Sequence, residues 1–160
     1  MQVMSFDIYI LSKPYPHIKI LNKLYHMTRI NIISVQQLFD QHLIAEYREI
    51  LMIPSALKRT LNSKKGLDKS KISKTYILNS GHVYFFYDKG QYLCKRYKEI
   101  IDEMKRRGFK PNLNRKFPKD IFVKNNLYND WTPQPEELKI IKKRIKSKIK
   151  QKPHWYRKTL

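Results

Sequence analysis

A chain of 160 residues with 41% hydrophobic content is enough for one domain around one core, and it holds no run of about 18 apolar residues able to cross a membrane. Its 34 Lys and Arg stand against 13 Asp and Glu, a formal charge of +21. That excess points to a polyanionic partner, nucleic acid first and an anionic membrane surface second. Cys94 is the one cysteine, so an intrachain disulfide is excluded and a reducing, intracellular setting without secretion is expected.

Residues 1–26 read as an irregular extension. The apolar run around Tyr9 to Leu11 is short and follows Asp7, unlike a secretory signal, and Pro14 and Pro16 break any helix there. A first helix is expected from Ser34 or Val35 to about Ile50, with Ser34 as N-cap. Phe39, Leu43, Tyr47 and Ile50 recur on one apolar stripe of that helix, and His42, Glu46 and Glu49 follow on a neighbouring polar face. On pattern alone this face is a solvated flank, its acids paired with Arg48. A metal site there is poorly supported, because no HExxH, CxxC or third ligand accompanies His42 and Glu46. Pro54 interrupts or restarts the helix, with a further turn or two over Ser55 to Leu61.

Asn62 to Lys74 is a polar loop containing Gly66, and Ser80-Gly81-His82 punctuates the chain again. The aromatic run Val83 to Tyr87 fits a strand as well as a helix, and His82 and Tyr87 suit packing better than ligation. A second helix is predicted over Gln91 to Arg107, apolar through Tyr92, Leu93, Tyr97, Ile100, Ile101 and Met104, and stopped by Gly108. Lys105, Arg106 and Arg107 crowd its last turn, either to cap it or to meet DNA. Lys110 to Pro135 is a long Asn- and Pro-containing connection that Trp131 should pin to the core.

Pro135 and Glu136 open a third helix with the narrow seam Leu138, Ile141, Ile145 and Ile149, coated elsewhere by lysines. A membrane-surface or calmodulin-binding segment shares this appearance. In the tail, Trp155 and Tyr156 lie beside Arg157 and Lys158, a mixture suited to stacking on distorted or unpaired bases at roughly 1–3 kcal/mol per base.

The segments MTRIN (27–31), DQHLIAEYRE (40–49), KIS (71–73), GHVYFFYDK (81–89), KRRGF (105–109) and PHWY (153–156) together resemble the pyrimidine-dimer DNA glycosylase family, the phage-type repair endonucleases that act on ultraviolet photoproducts. No one segment is decisive, but their order and spacing are specific. The likeness runs without gaps from Met27 to about Phe109, loosens to Asn129 and resumes near Asp130. It implies an all-α, compact single domain of about three main helices with long connecting loops, covering residues 27–160. It also implies that the aromatic run at 83–87 leads into a helix.

For function, the resemblance implies a DNA N-glycosylase and abasic-site lyase that needs no cofactor and no metal. Its partner would be double-stranded DNA carrying photoproducts or abasic sites, and it would work as a monomer. Thr28 and Glu49 match the family's catalytic positions. Arg29, His42, Arg48, Arg144 and Lys148 match positions used against the DNA backbone, and the tail with Trp155, Tyr156 and Arg157 lies near the lesion. Met52 departs from the family, which carries arginine there; Lys58, Arg59, Lys64 and Lys65 are candidates to replace it.

The implied nucleophile is the α-amine of Thr28, so its chemistry depends on where the working chain begins. An α-amine has a pKa near 8 and a lysine near 10.4, so at pH 7 roughly a tenth of the former is neutral against about 0.04% of the latter. Initiation or cleavage at Met27, with the methionine trimmed, would free that amine; retention of residues 1–26 would lock it in an amide and leave a non-catalytic DNA-binding protein. A metal-dependent nuclease built on His42 and Glu46 is the remaining alternative.

Overall fold

From Ile30 the chain runs as an arm with no regular partner strand, and most of the fold's logic lies in how that arm is held. The computed structural model describes residues 30–159, so Thr28, Arg29 and the extension at 1–26 lie outside the described residues. Over the described residues the architecture is helical with no strand, as expected from the sequence and the resemblance.

The arm is β-branched, and Ile30, Ile32, Ile33, Val35 and Leu38 all enter the core. A 3-10 turn over Val35–Gln37 ends it. The first helix, α1, then spans Asp40–Glu49 and does not begin at Val35, because Leu38 and Phe39 are extended. The cause lies far along the chain. Buried Arg107 donates to the carbonyls of Leu38 (2.8 Å), Val35 (3.2 Å) and Gln36 (3.4 Å) and to Asp40 Oδ1 (2.8 Å), occupying acceptors that a continuous helix would need for itself. Ser34 makes no cap; its hydroxyl pairs with Gln36 instead.

A second helix, α2, covers Met52–Leu61. Pro54 falls in its first turn, where an intrahelical N–H is not required, so the restart comes three residues earlier than expected. After a loop with a 3-10 turn at Lys69–Lys71, α3 spans His82–Phe85 and runs into a further 3-10 turn at Phe86–Asp88. The aromatic run is therefore helical, and Phe85, Phe86 and Tyr87 are all buried.

The central helix, α4, runs Gly90–Arg106. It closes in a Schellman pattern in which Phe109 N–H donates to Met104 O (2.9 Å) and Gly108 N–H to Lys105 O (2.9 Å), with Gly108 at φ +78°. That left-handed backbone suits a residue without Cβ. The connection that follows contains a short helix, α5 over Lys119–Lys124, where the sequence pattern predicts only a long connection. It has only one fully buried side chain, Phe122, too few for a periodic signal. Trp131 pins the rest as expected, edge-on to Tyr92 (5.0 Å) and Phe85 (5.2 Å).

The last helix, α6, spans Pro135–Gln151 and starts with a capping box. Gln134 N–H donates to Glu137 Oε2 (2.7 Å), while Glu137 Oε1 accepts from Tyr76 N–H (2.7 Å) and ties the helix start to the core. Ile141 and Ile145 are buried, Leu138 and Ile149 flank them, and the lysines point outward.

Candidate functional site

The chemistry-bearing residues meet in a cleft of about 300 Å³ between α1, the C-terminal half of α6 and the tail. Spacing on α1 puts Gln41, His42, Ala45, Glu46 and Glu49 on one wall; α6 supplies Arg144 and Lys148, the tail supplies Trp155 and Tyr156, and the arm contributes Asn31. The i, i+4 step from Arg144 to Lys148 aims both cations at the same opening.

Glu46 and Glu49 share the wall but not the environment. Glu46 is 1% exposed. Its Oε1 accepts from Arg96 Nε (2.7 Å), and its Oε2 from Arg96 Nη2 (3.2 Å), Asn31 N–H (3.1 Å) and Asn31 Nδ2 (2.9 Å). Arg96 also donates to the carbonyls of Ile33 (2.7 Å) and Asn31. Burial works against the Arg96 charge, but the Glu46 carboxylate beside it more than compensates and raises its pKa. The sequence reading placed Glu46 on a solvated flank near Arg48. Instead it is an internal fastener whose partner stands 50 residues away, and its oxygens are already taken. Glu49 is half-buried on the same wall.

One residue upstream of Asn31, the backbone is gripped at both polar groups. Ile30 N–H donates to His82 Nε2 (2.9 Å), and Ile30 O accepts from Tyr76 OH (3.0 Å). His82 Nδ1 faces Ile77 O at 2.8 Å, so Nδ1 carries the proton and Nε2 is free to accept. His82 is a packing residue, as anticipated, and it also orients the arm. Burial pushes the Tyr76 hydroxyl far above its usual range, which keeps it a donor.

His42 lines the cleft in an unexpected state. Burial, with the Arg144 charge adding to it, lowers its pKa to about 4, so near neutral pH the ring is uncharged. It stacks under Tyr156 (4.6 Å between centroids, 18° between planes), with Phe39 edge-on to both rings. Its Nδ1 has no hydrogen-bond partner among the described residues. An anion in the cleft would meet this ring uncharged near neutral pH.

The tail reaches the cleft because α1 tethers it. Asp40 N–H donates to Arg157 O (2.8 Å), Gln41 Oε1 accepts from Arg157 N–H (2.9 Å), and Asp40 Oδ2 accepts from the Thr159 hydroxyl (2.9 Å). Tyr156 is thereby held on His42, while the Trp155 ring stays 63% exposed at the rim. The side chain of Arg157 is exposed and does not line the cleft.

Of the residues singled out from the sequence, His42, Glu46, Glu49, Arg144, Lys148, Trp155 and Tyr156 come together here. Arg48 lines a different pocket, and Thr28 and Arg29 lie outside the described residues. Asn31 and Gln41 were missed as site residues although both sit inside quoted motifs; Arg144 Nη1 reaches Asn31 Oδ1 at 3.3 Å. Arg106 and Arg107, candidates for DNA contact, are instead drawn into ion pairs with Glu103 at 2.8 and 2.7 Å.

An all-α domain with cations and aromatics around one carboxylate-bearing cleft is suited to processing nucleic acid. A family model described as pyrimidine dimer DNA glycosylase matches residues 27–117. The chain belongs to that family of DNA repair glycosylases. The match takes in the arm, α1 to α4 and Glu49; α6 and the tail lie beyond it, and the fold returns them to the same cleft.

Proposed function

We propose that this chain excises one base of a cyclobutane pyrimidine dimer and then cuts the strand, using the α-amine of Thr28 as nucleophile and Glu49 as the assisting carboxylate. The domain is residues 27–160, and its working form begins at Thr28, with Met27 trimmed and residues 1–26 absent. The observation that carries the reading is the double grip on Ile30 next to the cleft that holds Glu49. Two residues span at most about 7 Å of extended chain, so an amine at Thr28 is tethered within that distance of a fixed, buried point.

Arg144 and Lys148 anchor the backbone phosphates, and eversion of the damaged nucleotide brings its sugar to the cleft, which is easiest where a dimer has weakened stacking. The neutral Thr28 nitrogen attacks C1′ of the deoxyribose. The C1′–N bond breaks and the base leaves with its electron pair, still joined to its neighbour through the cyclobutane ring. Transfer of one proton from that nitrogen to O4′ opens the deoxyribose ring and gives a protonated imine, whose positive charge the Glu49 carboxylate stabilises. Glu49 then takes a proton from C2′, and the C3′–O bond breaks with the 3′ phosphate as leaving group. Trp155 and Tyr156 offer ring faces to the distorted bases.

Borohydride added to protein and irradiated duplex in the presence of chelator should trap a covalent adduct whose peptide link maps to Thr28. A chain that cleaves under these conditions without forming the adduct refutes the amine mechanism. Glu49→Gln should keep duplex binding and lose strand cleavage by about 10²–10⁴-fold, the range for a positioned acid–base group; cleavage at the wild-type rate would remove Glu49 from the assignment.

A further inference from the structure

The start of α1 has no cap of its own. Phe39 stands at the N-cap with a side chain that can accept nothing, so the N–H groups of the first turn need partners from elsewhere. The tail supplies one, because Arg157 O accepts from Asp40 N–H at 2.8 Å. Alternate tail residues then meet the same turn. Trp155 O accepts from Gln41 Nε2 (2.6 Å), Arg157 N–H donates to Gln41 Oε1 (2.9 Å), and Thr159 donates to Asp40 Oδ2 through its N–H (3.0 Å) and its hydroxyl (2.9 Å).

Asp40 is 7% exposed and is held from its other side by Arg107, whose Nη1 lies 2.8 Å from Oδ1. Arg107 Nε donates in turn to Glu103 Oε1 at 2.7 Å. A run of charge-assisted bonds therefore leads from α4 through Asp40 to Thr159. The fastenings at residues 155, 157 and 159 bracket Tyr156, which lies on His42, and fix the backbone of Trp155, whose ring stands at the cleft rim. A loose tail would have to order both rings when DNA arrives, and that lost freedom would be subtracted from affinity; a tail ordered in advance does not lose it again. The gain applies only to DNA that offers unstacked base faces to the rings, because an intact duplex is held through its phosphates.

We propose that Asp40, Gln41 and Thr159 form a latch that sets the discrimination between damaged and intact duplex, as positioning residues that act through Trp155 and Tyr156. The proposal rests on the reading of those two rings as the surface that meets distorted bases, and not on the amine chemistry.

Thr159→Pro tests it, because proline removes both the N–H and the hydroxyl that reach Asp40, and Asp40 keeps its partner Arg107. Thr159→Ser retains both donors. Two quantities are read on each folded protein. One is the ratio of Kd for undamaged duplex to Kd for irradiated duplex, from fluorescence anisotropy; the other is the pKa of His42 from proton NMR, its resonance assigned by its absence in His42→Gln. In Thr159→Pro the ratio should fall by roughly 5- to 100-fold, the factor for two aromatic side chains that must be ordered on binding. Its affinity for undamaged duplex should stay within about 2-fold of wild type, since the phosphate contacts are untouched. The His42 pKa, about 4 beneath the seated tail, should rise toward 6.5 as the ring regains water. Thr159→Ser should match wild type in both quantities. Gln41→Leu, which breaks the fastenings at Trp155 and Arg157, should repeat the fall in ratio and the rise in pKa. An unchanged His42 pKa in both Thr159→Pro and Gln41→Leu overturns the latch, because the tail is then seated without it. A raised pKa with an unchanged ratio overturns its part in discrimination. Wild-type protein that binds irradiated and undamaged duplex equally sinks the lesion reading itself, whereas discrimination shared by wild type and Thr159→Pro sinks only the latch.

Discussion

Helices α4 and α6 are each 17 residues long and both are rich in cations, yet they use them oppositely. On α4, Arg96 is buried against Glu46, Lys95 pairs with Asp130, and Arg106 pairs with Glu103, which also holds Arg107 just past the helix end. On α6 the only acids are Glu136 and Glu137 in the first turn, and Lys139, Lys142, Lys143, Lys146 and Lys150 are exposed without ion pairs among the described residues. The contrast shows that a charge of +21 announces a polyanion without saying which cations meet it. Those within reach of an acid are held in ion pairs, and the remainder form a positive field open to an anionic partner.

The largest break in this contrast comes from the buried pair. Arg96→Met leaves the Glu46 carboxylate, whose side chain is 0% exposed, without its cation and strips the donors from the Asn31 and Ile33 carbonyls. A loss of about 3–5 kcal/mol is expected from urea unfolding, the usual cost of orphaning one partner of a buried pair. The double variant Glu46→Leu with Arg96→Met should recover part of it, since no charge is then left unpaired. Stability of Arg96→Met within 1 kcal/mol of wild type would mean that packing of the arm's isoleucines, not its carbonyl partners, holds it.

The same pair marks the boundary of what the sequence reveals. The predicted span Gln91 to Arg107 and the start at Pro135 agree with α4 and α6 to within a residue, because seventeen residues give the apolar period room to repeat and Gly108 and Pro135 punctuate it. The helical resolution of the Val83 to Tyr87 run came from family likeness, since its periodicity was ambiguous. Glu46 was misread because pattern reports a face and not what covers it; α4 covers that face, and Arg96 lies 50 residues downstream. The break before Asp40 was invisible for a similar reason, as Arg107 acts on Leu38 across 69 residues. Glu49, Arg144, Lys148, Trp155 and Tyr156, singled out through resemblance, line one cleft, but the neutrality of His42 was not legible, because it depends on the tail folding Tyr156 onto the ring.

That neutrality yields the second prediction. The folded state lowers the His42 pKa from 6.5 to about 4, so between those values the unfolded chain binds the extra proton. Stability is therefore unpenalised above about pH 6.5 and falls as pH drops toward 4. Allowing for solvent screening, the loss attributable to this ring at pH 5 is on the order of 1 kcal/mol. His42→Gln should flatten that part of the profile when urea midpoints are compared at pH 7.5 and 5. A profile as steep in the variant as in wild type would mean that the ring already takes up its proton in the fold, beside Arg144.

The smallest effect sharpens the contrast most directly, because it compares two solvent-facing lysines, one on each helix. Lys148 lines the cleft on α6 and Lys98 is exposed on α4, and neither is in an ion pair among the described residues. Lys148→Gln and Lys98→Gln should each change unfolding free energy by less than about 0.5 kcal/mol, as surface substitutions without special contacts do. Only Lys148→Gln should reduce the salt slope of duplex binding, by about 0.9. Equal slopes for the two variants would mean that DNA responds to the diffuse positive field of the whole molecule, and the division of labour between α4 and α6 would then hold for stability but not for recognition.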